Sequence, residues 1–475
     1  MIGGMRALLI STYDLGRQPF GLASASAALQ AAGAEVSCAD VSRDRLVAAE
    51  VAAATLVGFF LPMHTATRLA VPVIERVRAI NPEARLCAFG LYAPLNARLL
   101  RDLGVTDVLG AEFEDDLRRL ASPRKSIEDA RIDDPAPRHP LDGSRDRPFV
   151  PRVEFRVPDR SALPPLARYA KLRIGTETRV TGYTEASRGC KHRCRHCPIV
   201  PVYDGRFRVV PADIVLADVR GQVAAGARHV TFGDPDFFNG IRHAEAVVRA
   251  FHAEFPDVSY DVTIKIEHLL AHAGMLPLLR DTGCAFVTSA VESVDDGVLA
   301  KLDKGHTRAG FEQVAALCRA AGLTLTPTFV AFTPWTTLER YCELLQAIDN
   351  LGLVGHVSPV QFAIRLLITE GSRLLELPEI REIAPAFDAA TMTYPWRHAD
   401  PHVDQLQEEI AALVGMGVSA ERSETFARVW TAAHAAAGVV PPPRQTEILP
   451  RAAIPYLTEP WYCCAEPTAE QEALI

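Results

Sequence analysis

The chain has 475 residues, 48% of them hydrophobic, and its 50 Lys and Arg residues against 58 Asp and Glu residues give a formal net charge of -8. A chain of this length and composition buries a sizeable core and is expected to divide into two or three domains. The negative charge disfavours a broad electrostatic grip on nucleic acid, which requires clustered positive charge, and favours a small-molecule substrate.

The start of the chain lacks the basic segment and long apolar core of a secretory signal, and no run of 18 apolar residues occurs anywhere. We therefore expect a cytoplasmic protein with no membrane partner. Thiols stay reduced in that compartment, so the ten cysteines are not interpreted as a disulfide framework. Five isolated cysteines are interpreted as small buried hydrophobic residues: Cys38, Cys87, Cys284, Cys318 and Cys342.

Residues 1–122 alternate short apolar runs with amphipathic stretches, which predicts a Rossmann-like, doubly wound α/β domain. The predicted strands are 6–12, 35–41, 55–61 and 85–90, and the predicted helices are 20–33, 64–80 and 93–104. Residues 123–170 are rich in Pro, Arg and Asp with little periodicity and are interpreted as a linker.

A second β/α series follows the linker. Residues 185–189 lead into a cysteine-rich loop, and further strands are predicted at 229–238, 259–267, 284–293, 323–332 and 357–367. Six such units predict a partial (β/α)6 barrel over 171–375, with its chemistry at the carboxyl ends of the strands. Residues 376–475 are predicted to be a mostly helical C-terminal region that ends in a polar tail.

Three cysteines, Cys190, Cys194 and Cys197, occur within eight residues with the spacing C-x3-C-x2-C. A structural zinc site needs four ligands, and a fourth is not evident here, although His192 and His196 are candidates for recruitment. Three thiolates on a [4Fe-4S] cluster instead leave one iron open to bind a substrate or cosubstrate. The cluster is the favoured interpretation and the zinc knuckle is the alternative.

With these cysteines, the sequence from about 180 to 370 resembles the radical S-adenosylmethionine (SAM) superfamily. The resemblance implies that the three cysteines bind a [4Fe-4S] cluster and that SAM is the second cofactor. Other motifs in the same order correspond to segments that hold SAM in that superfamily. The implied SAM-binding residues are His196, Phe232, Gly233, Asp234, Pro235, Lys265, Glu292, Ser293, Phe332 and Arg365. For Lys265 and Arg365, exposed surface charge is the alternative.

An α/β domain in front of such a barrel resembles the cobalamin-binding arrangement of some radical SAM enzymes. A cobalt-ligating histidine is expected there in a D-x-H-x-x-G segment after the first strand. This chain has Asp14 and Gly16 in that segment but no histidine, so bound cobalamin is allowed by the resemblance but is not favoured. His64 is interpreted as a loop or helix-start residue with satisfied hydrogen bonds rather than as a cobalt ligand.

The tail contains the adjacent thiols Cys463 and Cys464 followed by Ala-Glu-Pro. It resembles a radical SAM group known for a Cys-Cys or Cys-selenocysteine Ala-Glu-Pro tail, which includes enzymes of arsinothricin biosynthesis. Soft thiolates select thiophilic partners such as trivalent arsenic. The resemblance implies that Cys463 and Cys464 present arsenite to the barrel. An inert pair, or a vicinal disulfide formed on oxidation, is the alternative.

The hypothesis from sequence is a radical SAM transferase that moves the 3-amino-3-carboxypropyl group of SAM to arsenite, with methylthioadenosine as coproduct. An electron donor such as flavodoxin or ferredoxin is the expected protein partner. Three alternatives stay open: a cobalamin-dependent radical SAM methyltransferase, a tRNA-modifying enzyme, which the negative charge disfavours, and a noncatalytic iron–sulfur or metalloid-binding protein.

Overall fold

The computed structural model of the protein describes residues 5–121, 150, 152–416, 421–444, 454–459, 466–467 and 471. The front of the chain forms a parallel sheet in the order β2-β1-β3-β4-β5, with helices between the strands. Its strands are β1 (Arg6–Ser11), β2 (Glu35–Asp40), β3 (Leu56–Phe60), β4 (Arg85–Phe89) and β5 (Asp107–Val108), and its helices are α1 (Phe20–Ala31), α2 (Ala48–Ala53), α3 (His64–Ile80), α4 (Ala97–Asp102) and α5 (Glu114–Ala121).

The front sheet has its topological switch point between β1 and β3, because the chain moves to β2 on one side of β1 and then returns to β3 on the other. In open α/β sheets, ligands bind beyond the carboxyl ends of the strands at this point. The loop that follows β1 contains Tyr13, and the loop that follows β3 leads into α3, whose first residue, His64, is buried.

The second sheet has seven strands in the order β13-β12-β11-β10-β7-β6-β14. The run from β7 to β13 is parallel, whereas β6 and β14 add to one edge in antiparallel fashion. The strands are β6 (Lys171–Ile174), β7 (Glu177–Thr184), β10 (His229–Phe232), β11 (Ser259–Thr263), β12 (Cys284–Glu292), β13 (Leu325–Phe329) and β14 (Tyr456–Leu457), and a separate hairpin pairs β8 (Ser187–Gly189) with β9 (Phe207–Val209).

Helices accompany this curled sheet, and all of the following except α6 contribute to the largest hydrophobic core. They are α6 (Val200–Tyr203), α7 (Ala212–Ala224), α8 (Ile241–Glu254), α9 (Ile266–Ala271), α10 (Leu276–Asp281), α11 (Asp296–Leu302), α12 (Arg308–Ala321), α13 (Leu338–Asn350), α14 (Pro378–Ile383), α15 (Pro401–Met416) and α16 (Arg422–Ala437). The predicted fold class is confirmed: a Rossmann-like domain precedes a partial radical SAM-type barrel and a helical C-terminal region.

Two elements differ from the sequence expectation. The predicted sixth barrel strand, 357–367, is a 3-10 helix over Pro359–Phe362 followed by a single parallel bridge between Phe332 and Arg365. Within the helical C-terminal region, β14 returns to pair with β6. That pairing joins segments far apart in sequence, and local periodicity does not reveal it.

The described part of the predicted linker packs against both domains. The Asp159 amide donates to the carbonyl of Ala23 in α1, and Arg160 forms an ion pair with Asp218 in α7. None of the helices in the described ranges combines the length and apolar character needed to cross a membrane. Four of the five isolated cysteines are buried, and Cys38 is half-buried, as expected for thiols that pack as small hydrophobic groups.

Candidate functional site

The cysteine loop begins at Gly189, the last residue of β8. Gly189 has φ +73°, and a Cβ at this position would lie 2.5 Å from the carbonyl oxygen of Arg206. Glycine is the residue that tolerates both the left-handed backbone and this close approach. Gly189 pairs with Phe207 in the β8–β9 hairpin, so the two ends of the loop are held together.

The inside of the loop is fixed by backbone hydrogen bonds. The amide of Cys197 donates to the carbonyl of Cys194 at 3.2 Å, and the amide of Val200 donates to the carbonyl of Cys197 at 3.2 Å as α6 begins. The amide of Arg195 donates to the carbonyl of Leu302 at the end of α11. The loop is therefore supported by the barrel independently of any bound group.

The three thiols lie in a partly buried environment with cationic groups nearby, and Cys190 and Cys197 are half-buried. Cys194 is buried, and Lys265 places its Nζ 3.8 Å from the Cys194 Sγ. Burial raises the pKa of Cys197 to about 12, against the opposing effect of the nearby Lys304 charge. Thiolates in such surroundings need positive partners, and iron together with these two lysines supplies them.

The spacing of the thiols also bears on the zinc alternative. Ligand atoms that share one zinc ion lie within about 4 Å of one another, because zinc–ligand bonds are about 2.0–2.3 Å long. In the described ranges, the one group of three ligating side chains whose ligand atoms all lie within 4.8 Å of one another contains none of the three cysteines. The three thiols are therefore not gathered around a mononuclear centre, whereas a cubane spreads its ligands more widely.

Glu292, at the carboxyl end of β12, joins the loop to the barrel. Its Oε1 lies 3.1 Å from His196 Nε2 and 3.3 Å from Lys304 Nζ. Burial alone would raise the pKa of Glu292, but the Lys304 charge and the His196 hydrogen bond hold it at about 2. A buried carboxylate is thus kept ionised beside the cysteine loop.

Residues 232–235, at the end of β10 and just after it, make different contacts. Phe232 is fully buried among other aromatic rings of the core. A Cβ on Gly233 would collide with the Tyr183 hydroxyl at 1.8 Å, so glycine is required for this close packing. Asp234 accepts hydrogen bonds from the Ser187 hydroxyl and from the Ala186 amide, which ties β10 to β8, and Pro235 follows it. Burial raises the pKa of Asp234 to about 7.

The remaining SAM-binding candidates divide into two groups. Ser293 follows Glu292 directly, and its hydroxyl accepts a hydrogen bond from the Asp295 amide at the start of α11. Phe332 and Arg365 make their described contacts elsewhere: Phe332 stacks on Tyr341, and Arg365 pairs with Asp404 at 2.7 Å. A SAM carboxylate at Arg365 would have to displace that ion pair.

Two features of this site were not singled out from the sequence. Lys304 lies in a polar stretch typical of a surface loop, yet it is 3% exposed because the stretch folds against the cysteine loop. His268, in α9, lies with its Nε2 3.1 Å from His192 Nε2. The contact joins residues far apart in sequence, and no local pattern indicated it.

Cys463 and Cys464 lie outside the described residues, but the tail on either side of them in sequence contacts the front domain. Tyr13 donates a hydrogen bond to Glu459 at 3.0 Å, and a side chain at Gly16 would collide with Glu459. The two carboxylate oxygens of Glu466 lie 3.0 Å from His64 Nε2 and 2.7 Å from Arg68 Nη1. These contacts lie at the switch point of the front sheet.

The sequence profile described as the Radical SAM superfamily matches residues 184–347, from the end of β7 to α13. The chain contains a radical SAM superfamily domain. This domain implies a [4Fe-4S] cluster and SAM as cofactors, and the loop of Cys190, Cys194 and Cys197 fits the cluster in ligand type, burial and nearby positive charge.

Curated relatives match part of the chain. The ribosomal protein uS12 methylthiotransferase RimO of Geobacter sulfurreducens is 22% identical over 232 residues, 42% of this chain and 49% of that protein. A tRNA-2-methylthio-N(6)-dimethylallyladenosine synthase of the same organism is 29% identical over 192 residues, 37% of this chain and 42% of that protein. The chain therefore spans less than half the length of these relatives.

Solved structures match more of the chain. The cobalamin-dependent SAM radical enzyme OxsB, with aqua-cobalamin and SAM bound, superposes with a TM-score of 0.67 and 12% identity, covering 91% of this chain and 72% of that chain. The radical SAM methyltransferase TsrM from Kitasatospora setae gives a TM-score of 0.55 at 20% identity, covering 73% and 71%. At these identities the likeness concerns the fold, in which a front α/β domain precedes the radical SAM domain.

Proposed function

We propose that the chain is a radical SAM transferase that moves the 3-amino-3-carboxypropyl group of SAM to trivalent arsenic and releases methylthioadenosine. The product would be a 2-amino-4-arsenic-substituted butanoate, hydroxyarsinothricin. The observation that carries the proposal is the contact of the tail, on both sides of Cys463 and Cys464 in sequence, with the ligand-binding edge of the front sheet.

The tail contacts leave little room at the switch point for a large cofactor. The cavity there has a volume of 110 Å³ and is lined by Thr12, Tyr13, Val41, Ser42, Arg43, Leu69, Glu459 and Gln471. Sites for small organic ligands usually measure about 300–1,000 Å³. A corrinoid would therefore have to displace the tail. This supports the interpretation that the front domain binds the C-terminal tail of its own chain.

The roles proposed for the site residues follow from their positions. When bound, the [4Fe-4S] cluster supplies one electron for homolytic cleavage of a carbon–sulfur bond in SAM. Lys265 contributes positive charge beside Cys194, and Glu292 stays ionised beside His196 at the edge of the loop. A fixed charge beside the sulfonium orients SAM, and exclusion of water by the buried walls protects the radical.

The proposed transfer balances without a net reductant. The bond between sulfur and the γ-carbon of the aminocarboxypropyl group breaks, and one carbon–arsenic bond forms. Sulfur retains an electron pair as methylthioadenosine, and the lone pair of trivalent arsenic supplies the pair of the new bond. Arsenic is thereby oxidised to the pentavalent state and one proton is released, while the priming electron is returned.

The test is anaerobic incubation of reconstituted protein with dithionite, SAM and arsenite, followed by mass spectrometry. We expect methylthioadenosine and an organoarsenical of the same aminocarboxypropyl group. In Cys464→Ser the cluster absorbance should be retained and arsenic incorporation lost, whereas the control Cys38→Ser, at a half-buried thiol in β2, should keep both. Accumulation of 5′-deoxyadenosine alone, or full arsenic incorporation by Cys464→Ser, would refute the proposal.

A cobalamin-dependent methyltransferase is the second candidate, because the front sheet order and the likeness to OxsB and TsrM favour it. Incubation of the protein with hydroxocobalamin, followed by gel filtration, distinguishes the two candidate functions. Stoichiometric corrinoid in the protein fraction, with methyl transfer and no organoarsenical, would favour this candidate.

A further inference from the structure

Three ligating side chains meet beside the cysteine loop without being part of its thiol set. His192 belongs to the loop, Asp236 follows β10, and His268 lies in α9. One potential ligand atom from each lies within 4.8 Å of the other two. Three separate segments at the carboxyl edge of the barrel thus converge on one point.

The distances suit a single small cation. His192 Nε2 lies 3.6 Å from Asp236 Oδ2 and 3.1 Å from His268 Nε2. Ligands at about 2.0–2.1 Å from a tetrahedral zinc ion are separated by roughly 3.3–3.4 Å. These two separations bracket that value, whereas His268 Nδ1 lies only 2.6 Å from Asp236 Oδ2, so Nε2 is the ring nitrogen of His268 that fits as a ligand.

Two buried polar atoms of this group make no hydrogen bond of good geometry with any described residue. Asp236 is fully buried and His268 is 4% exposed. Within the described ranges, neither Asp236 Oδ2 nor His268 Nδ1 has a partner with hydrogen-bonding geometry, although the two atoms lie 2.6 Å apart. Buried polar atoms without partners are costly, and a metal ion is one way to satisfy them.

We propose that His192, Asp236 and His268 form a second metal site that binds a divalent first-row cation of the zinc type. Two imidazoles and one carboxylate are a common ligand set for such ions, with water completing the coordination. The Glu267 carboxylate, 3.6 Å from His192 Nδ1, adds negative charge near the site. The Lys265 ammonium, 3.3 Å from that carboxylate, partly offsets this charge.

The ion would connect the cysteine loop to the loop after β10 and to α9, and so brace the residues between Cys190 and Cys194. This role needs neither the tail thiols nor a particular acceptor for the SAM fragment. The inference therefore stands apart from the proposed arsenic chemistry.

The test uses the full chain with its cluster reconstituted and with Cys463→Ser and Cys464→Ser, so that the tail binds no zinc. After incubation with zinc sulfate and gel filtration, elemental analysis should find one zinc per chain beyond the cluster iron. His268→Asn and Asp236→Asn should weaken zinc binding by at least about 10-fold. His272→Gln is the matched control, because its ring is 6.0 Å from His268 and outside the ligand group.

A second measurement does not depend on the folding of the ligand variants. The zinc K-edge absorption spectrum of the protein without the ligand substitutions should show nitrogen and oxygen ligands with imidazole scattering. The proposal is overturned by sulfur in the first shell, by an absence of bound zinc, or by equal zinc binding in His268→Asn and His272→Gln. Those results would leave the three side chains as an Asp–His–His hydrogen-bonded group.

Discussion

Glu292 combines an uncommon backbone conformation with a buried charge. Its φ is +67°, and the pairing of β12 with β13 shifts register just before it. For a residue with a Cβ, the left-handed region costs about 1–2 kcal/mol. The carbonyl of Glu292 accepts a hydrogen bond from the Val330 amide, and its carboxylate pairs with Lys304 and His196. Those interactions stabilise the conformation that aims the carboxylate at the cysteine loop.

Replacing Glu292 with Gln should remove the carboxylate that pairs with the buried Lys304 ammonium at 3.3 Å. Loss of one member of a buried pair costs about 3–5 kcal/mol, so the thermal midpoint of Glu292→Gln should fall clearly. The double variant Glu292→Gln, Lys304→Met should recover most of that loss, because no unpaired charge remains. Differential scanning calorimetry measures both, and a double variant no more stable than the single one would contradict this account.

Asp14, in the loop after β1, gives a prediction about pH. Burial raises its pKa to about 7, with Arg17 opposing the rise and Asp40 and Glu185 adding to it. Between about pH 4 and pH 7 the folded protein therefore holds a proton that the unfolded chain releases, so this group's contribution to stability decreases as the pH rises through that range.

Asp14→Asn removes this titration while keeping the size of the side chain. The thermal midpoint of the variant relative to the unchanged protein should thus be higher at about pH 8 than at about pH 5. Thermal unfolding monitored by circular dichroism at both pH values checks the sign. A difference that is the same at both values would show that Asp14 does not carry the effect.

At the scale of elements, Arg188 in β8 connects the front domain to the strand that enters the cysteine loop. It is buried, and its guanidinium lies 2.6 Å from Glu114, 2.8 Å from Glu185 and 3.4 Å from Glu112. Burial raises the pKa of both Glu112 and Glu185, with Arg188 opposing the rise. One cation thus holds buried carboxylates from two domains together.

Arg188→Met should destabilise the protein more at about pH 8 than at about pH 5, because the unpaired carboxylates are neutralised by protons at lower pH. Cluster iron should be lost faster to a chelator as well, since Cys190 follows Arg188 by two residues. Thermal midpoints at both pH values and the rate of iron release measure these effects. Arg242→Met, a change in α8 away from this carboxylate group, serves as the comparison. Equal destabilisation at both pH values would refute the explanation.

The elements that sequence patterns predicted well are those whose burial is local. Central strands such as β3 are buried at every residue and read as continuous apolar runs, and the cysteine spacing marks its loop directly. Lys304 was missed because its burial depends on a contact between α11 and the cysteine loop. The segment 357–367 is apolar enough for a strand, but the 3-10 turn that begins with Pro359 leaves only one bridged position, at Arg365.

For the whole molecule, the tail is the element that connects the two domains. Through β14 it pairs with β6 of the barrel sheet, and the Thr458 amide donates to the carbonyl of Lys171. Directly afterwards, Glu459 contacts Tyr13 of the front domain. The cysteine loop makes a similar connection, because Val202 and Tyr203 of α6 belong to a hydrophobic core of the front domain. The radical SAM loop and the tail are therefore both positioned by the front domain.

This arrangement predicts that tail docking and SAM cleavage can be separated. Glu459→Gln combined with Glu466→Gln removes the charge from both contacts with the front domain, at Tyr13 and at His64 and Arg68. The three loop cysteines and the candidate SAM-binding residues are unchanged in this variant, so reductive release of a SAM fragment should continue. Arsenic incorporation should fall by about 10- to 100-fold, because a misplaced acceptor group loses the advantage of alignment.

The ratio of organoarsenical to total cleaved SAM, measured by mass spectrometry, reports this uncoupling. Glu245→Gln is the matched control, since it removes an exposed carboxylate that pairs with Arg249 in α8. That control should leave the ratio unchanged. If the double tail variant also leaves this ratio unchanged, the carboxylates of Glu459 and Glu466 do not position the acceptor. If organoarsenical and total cleaved SAM fall together, docking of the tail instead supports SAM cleavage itself.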